Sequence, residues 1–427
     1  MNQNILIPVL TLLFYVTSIL GGGAAPDSPV LTPSEITKTA VIGQQGEVIG
    51  DKVTVRTGPG TQHDALTSLH QGERVIILDL QDDWYEVKLS DGRIGWIAEY
   101  LIKTVPNKPQ AKPHGKSVLG YYLVGTSSYN SLIQNSNYLT GIAPWSWGLS
   151  SYGTLNADFE PEAMAQVLLF AGNREVETYA LIHNMFNGSF DPKVVSALLN
   201  SEVARARAVT EIKSALINWG MTGVNLDLEN VPATDRQALT SFVAELSQAL
   251  HAEGLKVTMA VPAKTADNPD NNFSGAYDYA ELGKHVDQLV IMAYDQHYRA
   301  GPPGPIASIK WVEDVVKFAV SQVPSDKIIL GIPNYGYDWP QTGMASALTY
   351  DQTMQLAASN NASIRWQGED KVPYFTYGSN RQVWFENRYS IKYKLELVNQ
   401  YQLNGIALWR LGQEDSGIWD VINNTLK

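Results

Sequence analysis

The 427-residue sequence contains no cysteine. That absence excludes disulfides, thiolate zinc sites, a cysteine nucleophile and a lipid-modified N-terminal cysteine. It leaves the redox compartment open, because a chain without thiols tolerates any of them. Positive charge is also scarce: 31 Lys and Arg stand against 43 Asp and Glu, a formal net charge of −12. Nucleic-acid binders ordinarily carry a basic face, so the balance argues against that class. No G-x-G-x-x-G follows a strand pattern, so a Gly-rich phosphate turn is missing too. Long apolar runs are absent beyond the N-terminus, and even there Ile5 to Leu20 falls short of the ~20 residues a membrane span needs. Aromatics, in contrast, are plentiful, with 11 Trp and 21 Tyr. Flat apolar rings with polar edges suit carbohydrate stacking, although most rings in any chain are core.

At roughly 150 residues per domain, the length predicts two to three domains. Residues 1–25 pair an apolar run with small residues ending at Ala24 and Ala25. That pattern reads as a signal peptide or N-terminal anchor, although no Lys or Arg precedes the run. Either reading puts the rest of the chain outside the cytoplasm. Residues 38–104 predict a small all-β barrel. Strand-like VIIL (75–78), WYEV (84–87) and IGWI (94–97) are separated by Thr57-Gly58-Pro59-Gly60, Gln81-Asp82-Asp83 and Asp91-Gly92. Residues 105–116, VPNKPQAKPHGK, have three prolines, three lysines and no apolar period, so they read as a linker.

From residue 117 to 427, apolar strand-like runs alternate with amphipathic helical ones. The strand candidates are 118–124, 139–145, 176–182, 223–229, 256–262, 288–294, 327–333 and 405–411. Continuous apolar strands alternating with helices mean parallel strands covered by helices. Eight such units predict an α/β fold of the (β/α)8, or TIM barrel, type; an open doubly wound sheet is the alternative. Residues 340–390 exceed a normal connection and read as a small excursion with β-like pieces.

Catalytic groups in such a barrel gather where strands end. The fourth strand ends Asn225-Leu226-Asp227-Leu228-Glu229. The two-residue period puts Asn225, Asp227 and Glu229 on one face. Polar groups there are costly unless bonded or functional. Two carboxylates this close do not both ionise easily, which equips one as a general acid. The sixth strand ends Met292-Ala293-Tyr294-Asp295, and the eighth ends Trp409-Arg410. The seventh is followed by Tyr335 and Tyr337, and the first holds Tyr121 and Tyr122, of which Tyr121 is read as facing inward. Carboxylates and rings on one rim predict a sugar-binding cleft.

These motifs resemble glycoside hydrolase family 18. GVNLDLEN resembles the family's D-G-x-D-x-D-x-E signature, MAYD its M-x-Y-D, and ALW its strand-eight tryptophan, across about residues 117–427. Within the family, ILGIPNYGYDW, VWFEN and GIALWRLG are similar to the bacterial branch that includes spore-cortex-lytic N-acetylglucosaminidases. Residues 38–104 resemble bacterial SH3-like wall-binding domains through Val55-Arg56-Thr57-Gly58-Pro59-Gly60, Gly72, Trp84-Tyr85 and Asp91-Gly92-Arg93-Ile94-Gly95-Trp96. The resemblance implies substrate-assisted, retaining hydrolysis without a cofactor. Glu229 would be general acid and base, and Asp227 would orient the acetamido group and stabilise the oxazolinium. Tyr294, Asp295, Trp409, Asn225, Tyr121, Met292 and Tyr337 would bind substrate. Two positions depart from the signature: Thr222 and Asn225 replace its first two aspartates. Asn225 cannot share a proton with Asp227, so the pKa and resting orientation of Asp227 are expected to differ from those in family members with Asp there.

Other polar and aromatic positions have plainer readings. His183 and His297 lack a second metal ligand at suitable spacing and read as structural. Trp84 and Trp96 read as core of the small barrel. Lys392, Lys394 and Glu396 read as a solvated helix face. Trp145, Trp147 and Trp339 fit either rim or packing, and Asp338 fits a cap or a sugar contact. Three functions follow: a wall-degrading N-acetylglucosaminidase, a chitinase, or a non-catalytic sugar-binding barrel. The SH3-like block favours the first as a wall-binding module. So does the short stretch from Trp339 to Thr349, which leaves little room for the insertion that deepens many chitinase clefts. The expected partners are peptidoglycan or a chitin-type glycan, with a wall component on the small barrel.

Overall fold

A computed structural model describes residues 41–105 and 115–426. The expected signal or anchor at 1–25 and most of the expected linker lie outside the described residues. The small N-terminal unit is a seven-stranded antiparallel sheet. Its strands are Gln45–Val48, Lys52–Arg56, Ala65–His70, Arg74–Gln81, Trp84–Lys88, Ile94–Ala98 and Ile102–Val105. Alternate residues point inward, so Val53, Val55, Val75, Ile77, Tyr85, Val87 and Ile97 make the core. The same alternation corrects the expectation for Trp84 and Trp96. They sit opposite Ala98 and Glu86 on the outer, half-buried side, next to the core positions Tyr85 and Ile97. Gly92, at φ +87°, closes the hairpin predicted at Asp91-Gly92.

One irregularity joins this unit to the rest. The pairing of Arg74–Gln81 with Trp84–Lys88 shifts between Ile77 and Asp79, leaving Leu78 in a β-bulge. Ile77 packs inside the small sheet, while Leu78 turns outward and is fully buried with Leu132, Val167 and Phe170. Those partners lie on the helices Ser128–Asn135 and Pro161–Asn173. Tyr129 Oη donates to Leu78 O at 3.0 Å, and Lys88 Nζ donates to Ile133 O at 3.0 Å, near the carbonyl end of the first helix.

Eight parallel strands close the large barrel. In order they are Ser117–Leu123, Gly141–Trp145, Glu177–His183, Gly223–Asp227, Lys256–Pro262, Gln288–Met292, Ile328–Pro333 and Gly405–Trp409. The first pairs with the second and with the eighth, which completes the ring. All eight predicted strands are present, each within two residues of the expected start. Buried alternation splits the core in two. Tyr121, Tyr179, Leu181, Val290 and Ile329 fill the barrel interior. Tyr122, Leu226, Val257, Leu289 and Leu408 face the surrounding helices.

The expected excursion is larger than its short strand-like pieces implied. Gly336–Trp339, Ser346–Leu348, Arg365–Gln367, Val372–Tyr377 and Arg381–Phe385 form a five-stranded antiparallel sheet with the helix Tyr350–Ser359. It follows the seventh barrel strand, at the C-terminal rim, and its first strand contributes Tyr337 to the cleft wall. The expectation of little room between Trp339 and Thr349 is therefore corrected. The insertion starts before Trp339 and runs far beyond Thr349, and cleft depth no longer separates the glycan classes. Trp339 is buried within it and donates to Gly301 O at 3.1 Å. Arg381 and Tyr377 hold Asp338. A second correction concerns Lys394. It is 1 % exposed and paired with the equally buried Glu386 at 2.9 Å, because the helix Arg388–Gln400 turns that face toward the insertion. Lys392 and Glu396 do lie on the solvated side.

Candidate active site

Asp227 is the last residue of the fourth barrel strand, and Glu229 follows two residues later. Their side chains enter one cavity of about 720 Å³ at the C-terminal rim. Its rings include Tyr121, Trp145, Tyr294, Tyr335, Tyr337 and Trp409, and Met292 and Asp295 border it as well. Trp409 meets Tyr121 and Trp145 edge-on, with centroids 5.1 and 5.6 Å apart. Trp145 in turn stacks on His183 at 5.1 Å. The cavity is thus an apolar box with three carboxylates in its wall.

Burial is the main influence on those carboxylates. It lifts Asp227 from 3.8 to about 6, and nearby His183 opposes the rise. Burial, then the charges of Asp227 and Asp295, hold Glu229 well above the usual carboxylate range. Asp295 is raised by burial against the pull of two hydroxyls: Tyr335 Oη and Tyr337 Oη both donate to its Oδ1, at 2.6 and 3.0 Å. Asp227 Oδ1 is buried and has no hydrogen-bond partner among the described residues. Two raised carboxyls thus stand side by side, an arrangement that can serve as a general acid and its electrostatic partner.

Asn225 lies one step deeper and is fully buried outside the cavity lining. Its Nδ2 donates to Thr258 Oγ1 at 2.8 Å, and that hydroxyl donates to Val224 O at 3.0 Å. The amide is therefore locked to the fifth strand, and its Oδ1 has no partner among the described residues. His183 Nε2 lies 2.9 Å from Ser146 Oγ and 3.2 Å from Asp158 Oδ2. Its Nδ1 accepts from the Met185 backbone N–H at 3.0 Å, which puts a hydrogen on Nε2. His297 sits apart, against Pro302 O.

Sequence reasoning missed several residues. Phe190, Phe273, Tyr298 and Trp311 also line the cavity. They come from a two-residue hairpin strand, loops and a helix rather than the ends of barrel strands, so the rule of reading strand ends passes over them. Asn184 was missed as well. It is fully buried, and its side-chain amide binds both backbone groups of Glu229. Its place just after the third strand was the available signal.

The pattern of Glycosyl hydrolases family 18 matches residues 186–414, and that of Bacterial SH3 domain matches 51–103. YvbX of Bacillus subtilis, an uncharacterized glycosylase, is 31 % identical over 78 % of this chain and 97 % of its own. The spore cortex-lytic enzyme SleL of Bacillus megaterium superposes with a TM-score of 0.68 at 25 % identity, over 84 % of this chain and 89 % of that one. A chitinase of Chromobacterium violaceum superposes with a TM-score of 0.69 at 32 % identity, over 73 % and 98 %. The chain belongs to family 18 of the glycosyl hydrolases, and it is a glycosidase.

Proposed function

We propose that the protein is a β-N-acetylglucosaminidase that cuts the glycan strands of peptidoglycan outside the cytoplasm. In this reading residues 1–25 direct or anchor the chain, 38–104 bind a wall component, and 105–116 link them to the catalytic unit 117–427. The observation that carries the chemistry is the buried pair of Asp227, raised to about 6, and Glu229, held well above the usual carboxylate range, in an aromatic cavity. Glu229 protonates the leaving glycosidic oxygen. The carbonyl oxygen of the substrate's own 2-acetamido group attacks the anomeric carbon as the C–O bond breaks. Asp227 orients the acetamido N–H and stabilises the positive oxazolinium. Glu229, now a base, takes a proton from water, which opens the ring and returns the anomeric configuration. Trp409 supports the reacting sugar from below. Tyr121, Tyr294, Asp295, Met292 and Tyr337 surround it, and Asn225 acts from beneath.

The likeness to SleL and the SH3-like unit support peptidoglycan as substrate. The likeness to a chitinase supports a second reading, hydrolysis of chitin-type oligosaccharides by the same residues. A binding-only barrel has no need of a proton on Glu229. The test is to incubate the protein and Glu229→Gln with peptidoglycan and with chitooligosaccharides, then label new reducing ends and weigh the products. New N-acetylglucosamine ends from peptidoglycan, absent with the variant, are expected. Products from chitooligosaccharides alone would replace the first reading by the second. Binding without products would leave only a sugar-binding barrel.

A further inference from the structure

A second, smaller pocket of about 160 Å³ adjoins the cleft. Tyr121, Trp145 and Trp409 line both, and the small pocket adds Tyr122, Leu123 and Arg410. Whole-ligand pockets run to about 300–1,000 Å³, so this volume suits a substituent on a sugar rather than another ring.

Arg410 is half-buried there and lacks an ion-pair partner among the described residues. Among the described residues its side chain makes one hydrogen bond, from Nη1 to Ser128 Oγ at 3.3 Å, and that hydroxyl gives its own hydrogen to Leu411 O. Glu414 acts on Arg410 only at longer range. Its carboxylate already accepts from Ser131 Oγ and from the Gly412 N–H. Arg236, Arg381 and Arg388, in contrast, each contact a carboxylate directly. Arg410 is also absent from the groups that shift Asp227, Glu229 or Asp295, so it does not tune the reacting carboxylates. A guanidinium has five donors, and burying it without an anion is costly. One anion that would satisfy it is a carboxylate arriving with the substrate.

We infer that Arg410 binds a carboxylate on a substituent of the glycan lying in the cleft, and so selects carboxylate-bearing strands over plain ones. This rests on the peptidoglycan reading, in which alternate sugars carry a lactyl ether, either free or extended by a peptide stem. Both forms present a carboxylate, so the shared chemistry is what Arg410 recognises.

The test compares the full chain with Arg410→Gln and Arg410→Lys on four soluble substrates. These are chitooligosaccharides, carboxymethylated chitooligosaccharides of equal length, glycan strands stripped of peptide, and stem-bearing strands. The readout is the ratio of kcat/KM for each carboxylated substrate to that for the plain one, which does not depend on the fraction of folded enzyme. Arg410→Gln is expected to lower the ratio about tenfold, mostly through KM, and Arg410→Lys to lower it less. A fall on stripped strands alone assigns the lactyl carboxylate, and on stem-bearing strands alone a stem carboxylate. An unchanged ratio in Arg410→Gln on every carboxylated substrate overturns the inference. If the wild type cuts neither glycan, the peptidoglycan reading fails, and the ratio for carboxymethylated over plain chitooligosaccharides still decides the role of Arg410.

Discussion

Asn184 holds Glu229 by its backbone: Asn184 Nδ2 donates to Glu229 O, and the Glu229 N–H donates to Asn184 Oδ1, both at 2.9 Å. The same amide reaches Asp191 O at 3.2 Å in the loop after the third strand, so one side chain joins that loop to the end of the fourth strand. Asn184→Ala leaves two backbone groups of Glu229 without partners. It should cost about 1–3 kcal/mol of stability and lower kcat roughly tenfold or more, by loosening the acid's position. Thermal denaturation and steady-state kinetics on chitooligosaccharides check both. Wild-type kcat in the variant would show that Glu229 is positioned by other contacts.

The shifted carboxylates set the pH profile. The proposed mechanism needs Asp227 ionised and Glu229 protonated. Asp227, at about 6, should produce the rising limb, and Glu229, held well above the carboxylate range, the falling limb on the alkaline side. In Asp227→Asn the rising limb near 6 should vanish along with most of the activity. The measurement is kcat/KM over about pH 4 to 9 for both proteins.

The same shift makes Asp227 a burden on stability. Its folded value lies above the unfolded one, so the folded state binds more protons between 3.8 and about 6. Stability attributable to Asp227 is then fully present below 3.8, falls through that window and stays low above it. Asp227→Asn should be more stable than the wild type at pH 7, by at most about 3 kcal/mol, and no more stable at pH 3. Denaturant titrations at the two pH values test this, and a variant less stable at pH 7 would contradict it.

Much of this was legible in the sequence, for identifiable reasons. Parallel strands buried on both faces read as unbroken apolar runs, so all eight barrel strands were visible. Asp227 and Glu229 stood out because strand alternation puts them on one face at a strand end. Asn184 did not, since the partner that explains it is 45 residues away. Lys394 was misread as solvated because its partner Glu386 is eight residues back, outside the helical spacings that pattern reading uses. Trp84 and Trp96 were misread as core because a tryptophan in a strand looks apolar on either face, whereas the register sets the face. Leu78 sits in an ordinary strand run, and only the bulge reveals that it points toward another domain.

That outward leucine predicts cooperative behaviour. Leu78 and Ile42 share a core with Leu132, Val167 and Phe170, so the small sheet should unfold together with the barrel. Leu78→Ala should cost about 2–5 kcal/mol, and Leu78→Asp should split a single calorimetric transition into two. Two transitions already present in the wild type would mean the docking is weak.

In the proposed mechanism Glu229 and Asp227 serve a reaction whose nucleophile is the substrate's own acetamido group. The most direct measurement is the anomeric configuration of the first product, followed by proton NMR before mutarotation, with a chitooligosaccharide or a soluble glycan strand as substrate. The β anomer is expected to appear first and the α form to grow in later. An α anomer at the earliest time points would mean direct attack by water, and would contradict that mechanism.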